Sequence, residues 1–308
     1  MIDRSQYRVL IDKYLDSMDN VPCGEGKLFK EESQKADLET KLWHFLYKIE
    51  AADYHKNRVE SIAQSMRDEL KDFMNKDVED HFNYAHSART KEIENKEILY
   101  EVDAFFTTSR SVLDFLASIL SRYMKGKQTD KIRDFVKFLR KSQNDFAIKD
   151  IALDMWDNWG QDLIEYRDYL VHCGSLHPPK AIATKTNRNI SNGIIDENEM
   201  LMNWFSNKKE EYIVFPLPKK PNKSLRITRM NNWYEREVSE MPEGFSKEEN
   251  YIMWQSENEK HESKRIRYTL DNRYLEADEL CATYYNQLIE FSFKVINELL
   301  MVNFKFLL

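Results

Sequence analysis

EILYEVDAFFTTSRSVLDFLASILSRYM, residues 97–124, is the most regularly patterned stretch of the chain. Leu99, Val102, Phe106, Ser109, Leu113, Leu116, Leu120 and Tyr123 recur in alternating steps of three and four, the period of an α-helix. Phe105, Val112 and Ile119 widen that stripe. A face so broad belongs inside a pack of helices, because a surface helix buries only one narrow side. Ser109 is the small hydroxyl on the seam. Its expected partner is a backbone carbonyl one turn earlier, with a polar cleft as the alternative.

The same period extends outward in both directions. Residues 5–18 place Tyr7, Leu10, Ile11, Tyr14, Leu15 and Met18 on one face, and Pro22, Gly24 and Gly26 then mark a loop. A long helical region is expected over 33–82, broken near Asn57 or Asn75. Its stripes are Leu38, Leu42, Phe45, Leu46 and Ile49, then Ile62, Met66, Leu70, Phe73 and Met74. Residues 147–172 form a further helix with Trp156, Trp159, Leu163, Tyr166 and Leu170 inward, and 274–306 another with Leu280, Tyr284, Leu288, Phe291 and Val295 inward.

Between 175 and 271 the texture changes. Five prolines fall at 178, 179, 216, 218 and 221, and a sixth at 242. Residues 211–215 and 225–228, flanking a loop over 216–224, read as a hairpin or two short strands. Residues 251–254 and 265–270 read as two more. The expected fold is mainly α: an antiparallel helical bundle with extra N-terminal helices and a small β-containing insert. The corresponding segments are 1–95, 96–174, 175–271 and 272–308.

Composition narrows the function classes. With 32% charged residues and only seven glycines and seven prolines, the chain has the make-up of a folded, helix-rich protein. No apolar run reaches the ~18 residues of a membrane span, and no basic-then-apolar leader opens the sequence. Cys23, Cys173 and Cys281 are odd in number and far apart, which suits a reducing compartment. A cytoplasmic location is therefore expected. The net charge of −7 gives no general attraction to nucleic acid, so any such binding needs a local patch. His44, His55, His81 and His86 share no ligand spacing, and neither metal nor other cofactor is expected.

Two patches qualify. From 122 to 141, eight basic residues face only Asp130 and Asp134. Lys125, Lys127, Lys131, Arg133, Lys137, Arg140 and Lys141 are candidates for contact with RNA phosphates, against the alternative of a solvated helix face. Lys219, Lys220, Lys223, Arg226 and Arg229 form the second patch, with Trp204, Trp233, Tyr234 and Trp254 nearby in sequence as stacking surfaces or as packing for a small sheet.

The chemistry-bearing stretch is EYRDYLVHCG, residues 165–174. It ends a helix at Gly174, with Pro178 and Pro179 beyond, and so holds polar groups at a rigid, reachable position. Arg167 offers a planar fork of donors for phosphate. His172 suits proton transfer near neutral pH. On an ideal helix Arg167 lies about 40° from Leu163, and His172 about 140° from Arg167. One straight helix cannot aim both at a single phosphate. Either the last turn unwinds, or a second chain completes the site.

Arg167-Asp168, three further residues and His172 resemble the signature of the HEPN superfamily, small helical-bundle proteins many of which are metal-independent ribonucleases. Residues 101–116 resemble the early core helix of those bundles. The resemblance implies catalytic roles for Arg167, Asp168 and His172, with Ser109, Arg110 and Glu101 as auxiliary polar groups. It also implies a cleft between two protomers of a homodimer, an RNA substrate, and a toxin or phage-defence role with an antitoxin partner. The tyrosine that some members carry two residues after the histidine is Gly174 here, so its modification does not carry over. A non-catalytic nucleotide- or partner-binding module and an unrelated helical scaffold remain the alternatives.

Overall fold

The computed structural model describes residues 4–24, 29–75, 87–123, 129–142, 147–173, 180–187, 216–218, 245–256, 259–270 and 274–307. These are mainly helical. The helices are α1 (Arg4–Asp19), α2 (Glu32–Asn75), α3 (Glu97–Arg122), α4 (Ile132–Lys141), α5 (Ala147–Met155), α6 (Gln161–Cys173) and α7 (Ala277–Leu307). A π-helical turn, Trp156–Gly160, joins α5 to α6. The strands are β1 (Ser87–Glu94), β2 (Lys180–Asn187), β3 (Pro216–Pro218), β4 (Phe245–Ser256), β5 (Glu259–Leu270) and β6 (Tyr274–Glu276). The chain divides into two compact units. One comprises Met1–Asn57, Glu101–Gly174 and Cys281–Leu308, the other Arg58–Tyr100 and Ser175–Leu280.

In the first unit most of the apolar stripe residues read from the sequence are in the core, while Leu15, Leu46, Tyr123 and Trp159 are half-buried at its margin. Tyr14, Leu38, Phe45, Phe105, Phe106, Leu113 and Leu288 are fully buried. An aromatic cluster ties three helices: the Phe106 ring stacks on Tyr166 at 4.8 Å and meets Tyr284 edge-on at 5.6 Å. Tyr14 and Tyr123 join hydroxyls at 2.6 Å, fastening α1 to the end of α3. Burial of such rings supplies most of the driving force, since each removes a large apolar area from water.

The second unit combines the far half of α2 with three two-stranded antiparallel ribbons. β1 pairs with β2 from Ser87↔Asn187 to Glu94↔Lys180, and β4 with β5 from Phe245↔Leu270 to Ser256↔Glu259. β3 pairs with β6 from Pro216↔Glu276 to Pro218↔Tyr274. Arg67 of α2 bonds Glu276 and both oxygens of Asp278, the latter at 2.9 and 2.8 Å. That ion pair pins the strand-to-helix junction at which α7 starts.

Several expectations change. Of the two breaks expected, near Asn57 or Asn75, α2 ends at Asn75 and runs unbroken through Asn57, whose Nδ2 donates to Asp53 Oδ2 at 3.1 Å and so leaves the backbone ladder alone. Helix α7 begins at Ala277, because Tyr274–Glu276 pairs as a strand instead. Pro216–Pro218, expected within a loop, is that strand's partner. A two-stranded ribbon has only edges, where a proline without N–H is tolerated. β-structure is not confined to 175–271: β1 precedes α3. The 147–172 helix contains the π-turn, where a Cβ on Gly160 would collide with Met155 Sδ. Residues 211–215 and 225–228 lie outside the described residues.

The aromatic cluster makes a measurable claim. Phe106→Ala should cost about 3–5 kcal/mol of stability by leaving a cavity between Tyr166 and Tyr284. Urea unfolding of the variant beside the parent checks this, and a loss under ~1 kcal/mol would mean that the cluster collapses to refill the space.

Candidate functional site

Helix α6 is fixed to the core through Tyr166, which is 1% exposed between Phe106 and Tyr284. The next two residues, Arg167 and Asp168, then stand at the edge of that core, 25% and 28% exposed. Asp168 is the meeting point of three arginines. Its Oδ1 accepts from Arg110 Nη1 at 2.9 Å, and its Oδ2 from Arg133 Nη2 at 2.9 Å. Arg167 Nη1 adds a longer contact to Oδ1 at 3.3 Å. One carboxylate thus links α3, α4 and α6.

A second carboxylate sets the position of α4. Asp114 Oδ1 accepts the N–H of Ile132 at 2.9 Å, satisfying one of the amides that a helix start leaves open. Its Oδ2 lies 3.6 Å from Arg110 Nε. Helix α4 buries Ile132, Phe135, Val136 and Leu139 and turns its charged side outward. The result is an open pocket of about 210 Å³ with Arg110, Asp114, Lys131, Arg133, Asp134 and Lys137 among its lining residues.

The two carboxylates differ in acidity. Burial pushes the Asp168 carboxyl up, but Arg133, Arg167 and Arg110 outweigh it and hold the group below the usual carboxylate range. At Asp114 burial prevails over the Ile132 amide and Arg110, and the carboxyl sits above its ordinary value. Asp168 therefore serves as a fixed negative post among cations.

The other residues singled out in the sequence are distributed differently. The backbone is regular α-helix through Cys173, so the last turn of α6 does not unwind before Gly174. The side chains of residues 169–173, His172 among them, lie outside the described residues, as do Gly174, Pro178 and Pro179. So do Lys125 and Lys127, the second basic patch, and Trp204, Trp233 and Tyr234. Lys131, Arg133 and Lys137 line the pocket, whereas Arg140 pairs with Asp157 in the π-turn and Lys141 is exposed. Glu101 engages His55, whose Nδ1 lies 2.7 Å from its Oε2, a pairing that sequence spacing did not reveal.

Ser109 departs from its expected role. It is fully buried, and its Oγ has no hydrogen-bond partner among the described residues. The back-bond is made instead by Ser111, whose Oγ donates to the Thr107 carbonyl at 3.0 Å. Asp114 was missed altogether. The signal was present in its place four residues after Arg110, but its partner on α4 is local only in space. Among the described residues, no three His, Cys, Asp or Glu side chains gather where they could hold a metal ion.

Comparison with family models, with curated proteins and with solved structures finds no match to this chain.

Asp168 should leave a pH signature. Its pKa is lowered on folding, so its contribution is present above the unfolded value of about 3.9 and is lost as pH falls through the folded value. Asp168→Asn should therefore be less stable than the parent near pH 7, with the gap closing below about pH 4. Denaturant unfolding across a pH series measures it. A gap that is constant with pH would remove the ion-pair explanation.

Proposed function

We propose that the chain is a metal-independent endoribonuclease of the HEPN kind. The observation that carries this reading is the convergence of Arg110, Arg133 and Arg167 on Asp168 beside an open pocket. Guanidinium forks held in fixed orientation suit a phosphate that gains charge during reaction. His172 follows Arg167 by five residues on the same helix.

RNA brings its own nucleophile. A base takes the proton of a 2′-hydroxyl, and that oxygen attacks the adjacent phosphorus. The bond from phosphorus to the 5′-oxygen breaks, and an acid protonates the departing oxygen. His172 and its counterpart in a second chain are the proton carriers in this scheme. Arg167 stabilises the charge on the phosphoryl oxygens, and Asp168 orients the arginines. A two-fold homodimer is part of the proposal: on an ideal helix positions 167 and 172 lie about 140° apart, and symmetry would offer each cleft a second copy of both residues. A toxin or phage-defence effector with an antitoxin partner is the biological setting that the HEPN resemblance implies.

A second reading has one observation in its favour. The arginines gathered on Asp168 can hold a phosphate without cutting, which would suit a module that binds a nucleotide or a partner.

Cleavage of RNA by the pure protein in EDTA separates the two. Activity is expected to survive EDTA, to disappear in His172→Ala, and to fall about 10²–10³-fold in Arg167→Ala, the usual loss for one transition-state donor. Asp168→Asn should be milder, and products should end in a 2′,3′-cyclic phosphate. Full activity in His172→Ala would falsify the mechanism. Separately, light scattering at micromolar concentration should give twice the mass of one chain, and a monomer that cuts RNA would show that one chain suffices.

A further inference from the structure

The pocket beside Asp168 has a charge and a size that the cleavage step does not require. Arg110, Lys131, Arg133 and Lys137 stand there against Asp114 and Asp134, a surplus of two positive charges. Adding the paired Arg167 and Asp168 leaves that surplus unchanged. It is held in a chain of net charge −7. A phosphodiester link carries one negative charge, whereas a phosphate monoester carries about −1.5 to −2 near neutral pH. The surplus matches the monoester. At about 210 Å³ the pocket is also below the roughly 300–1,000 Å³ of sites for drug-sized ligands. It has room for a phosphate with its ester arm.

The walls are suited to that ligand. Asp168 fixes the forks of Arg110 and Arg133 with one 2.9 Å bond each, and Asp114 lies 3.6 Å from Arg110 Nε, so that the terminal Nη groups of each fork are the ones presented for contact with phosphate oxygens. Lys137 is 75% exposed and lies 3.7 Å from Asp134, a loose pairing that an incoming dianion can replace. The start of α4 lies in the same wall and adds the positive end of its dipole.

We infer that this pocket holds the terminal phosphate of an RNA strand, at its 5′ or its 3′ end. The choice of RNA as bearer rests on the ribonuclease reading above; the preference for a monoester dianion rests on the pocket alone. An end held here makes cutting end-dependent, because the anchored phosphate fixes which linkage lies within reach of the catalytic groups.

The test uses the full chain and short RNAs of one sequence with a 5′-phosphate, a 3′-phosphate or hydroxyls at both ends. All carry 2′-O-methyl groups, so none can be cut, and binding is read by fluorescence anisotropy at fixed salt. One phosphorylated RNA should bind about tenfold more tightly than the hydroxyl-ended one, the worth of one charge-assisted contact. In Lys131→Ala/Lys137→Ala the preference should fall below about threefold, with an unchanged melting temperature, since both lysines are exposed. Equal binding of all three RNAs overturns the proposal, and so does a preference that survives in the double variant. Unmodified RNA that stays uncut beside an intact end preference would sink the ribonuclease reading alone; cleavage without end preference would sink this inference alone.

Discussion

Three guanidinium groups brought from three helices repel one another, and the arrangement holds because a single carboxylate stands between them. Two unit charges 4 Å apart interact by about 4 kcal/mol at the effective dielectric of a protein's surface layer. The pKa of Asp168, held below the usual carboxylate range by those guanidinium groups, reflects that interaction. The post itself depends on the core, because Asp168 is two residues from Tyr166, whose ring is clamped by Phe106 and Tyr284. Packing thus fixes α6, α6 fixes the carboxylate, and the carboxylate gathers the arginines. Asp114 repeats the scheme on a smaller scale by holding the first amide of α4.

What the sequence made legible was the buried face of each helix. Residues 5–18, 97–124 and 147–172 carry apolar spacing that can only be satisfied by turning one side inward, and Tyr14, Phe106, Leu113, Leu163 and Tyr166 are buried accordingly. Arg110 and Arg133 both stand out in the sequence, but for unrelated reasons: one as an auxiliary polar group that the HEPN resemblance implies, the other as part of a basic run. Their meeting on Asp168 spans 58 and 35 residues of chain. Periodicity fixes a helix face but not the neighbour across from it, so no spacing rule could have joined them. The His55–Glu101 pair escaped for the same reason.

The strands were the harder part, also for physical reasons. Ser87–Glu94 is almost wholly polar, and its ladder to Lys180–Asn187 is made of backbone bonds that leave no mark in side-chain pattern. Tyr274–Glu276 sits where the stripe of α7 could have begun one turn earlier, and only its pairing with Pro216–Pro218 breaks the helix there. Residues 251–254 and 265–270 were recognised as β-formers, yet β4 and β5 each run to 12 residues. A hairpin extends past its apolar centre for as long as its backbone can pair.

The wide turn at Trp156–Gly160 bears on how this chain tolerates change. A π-bulge accommodates one residue more than an α-helical turn, so the extra residue is absorbed locally and the helix beyond keeps its direction. The aim of Arg167 and Asp168 is therefore insulated from the residue count upstream. Removal of one residue between 156 and 160 would let the backbone relax to ordinary α-helix while the arginine-bearing face stays where it is. The bulge makes this segment a permissive point for length variation, in a helix whose contacts with α3 and α4 could not otherwise survive a one-residue slip.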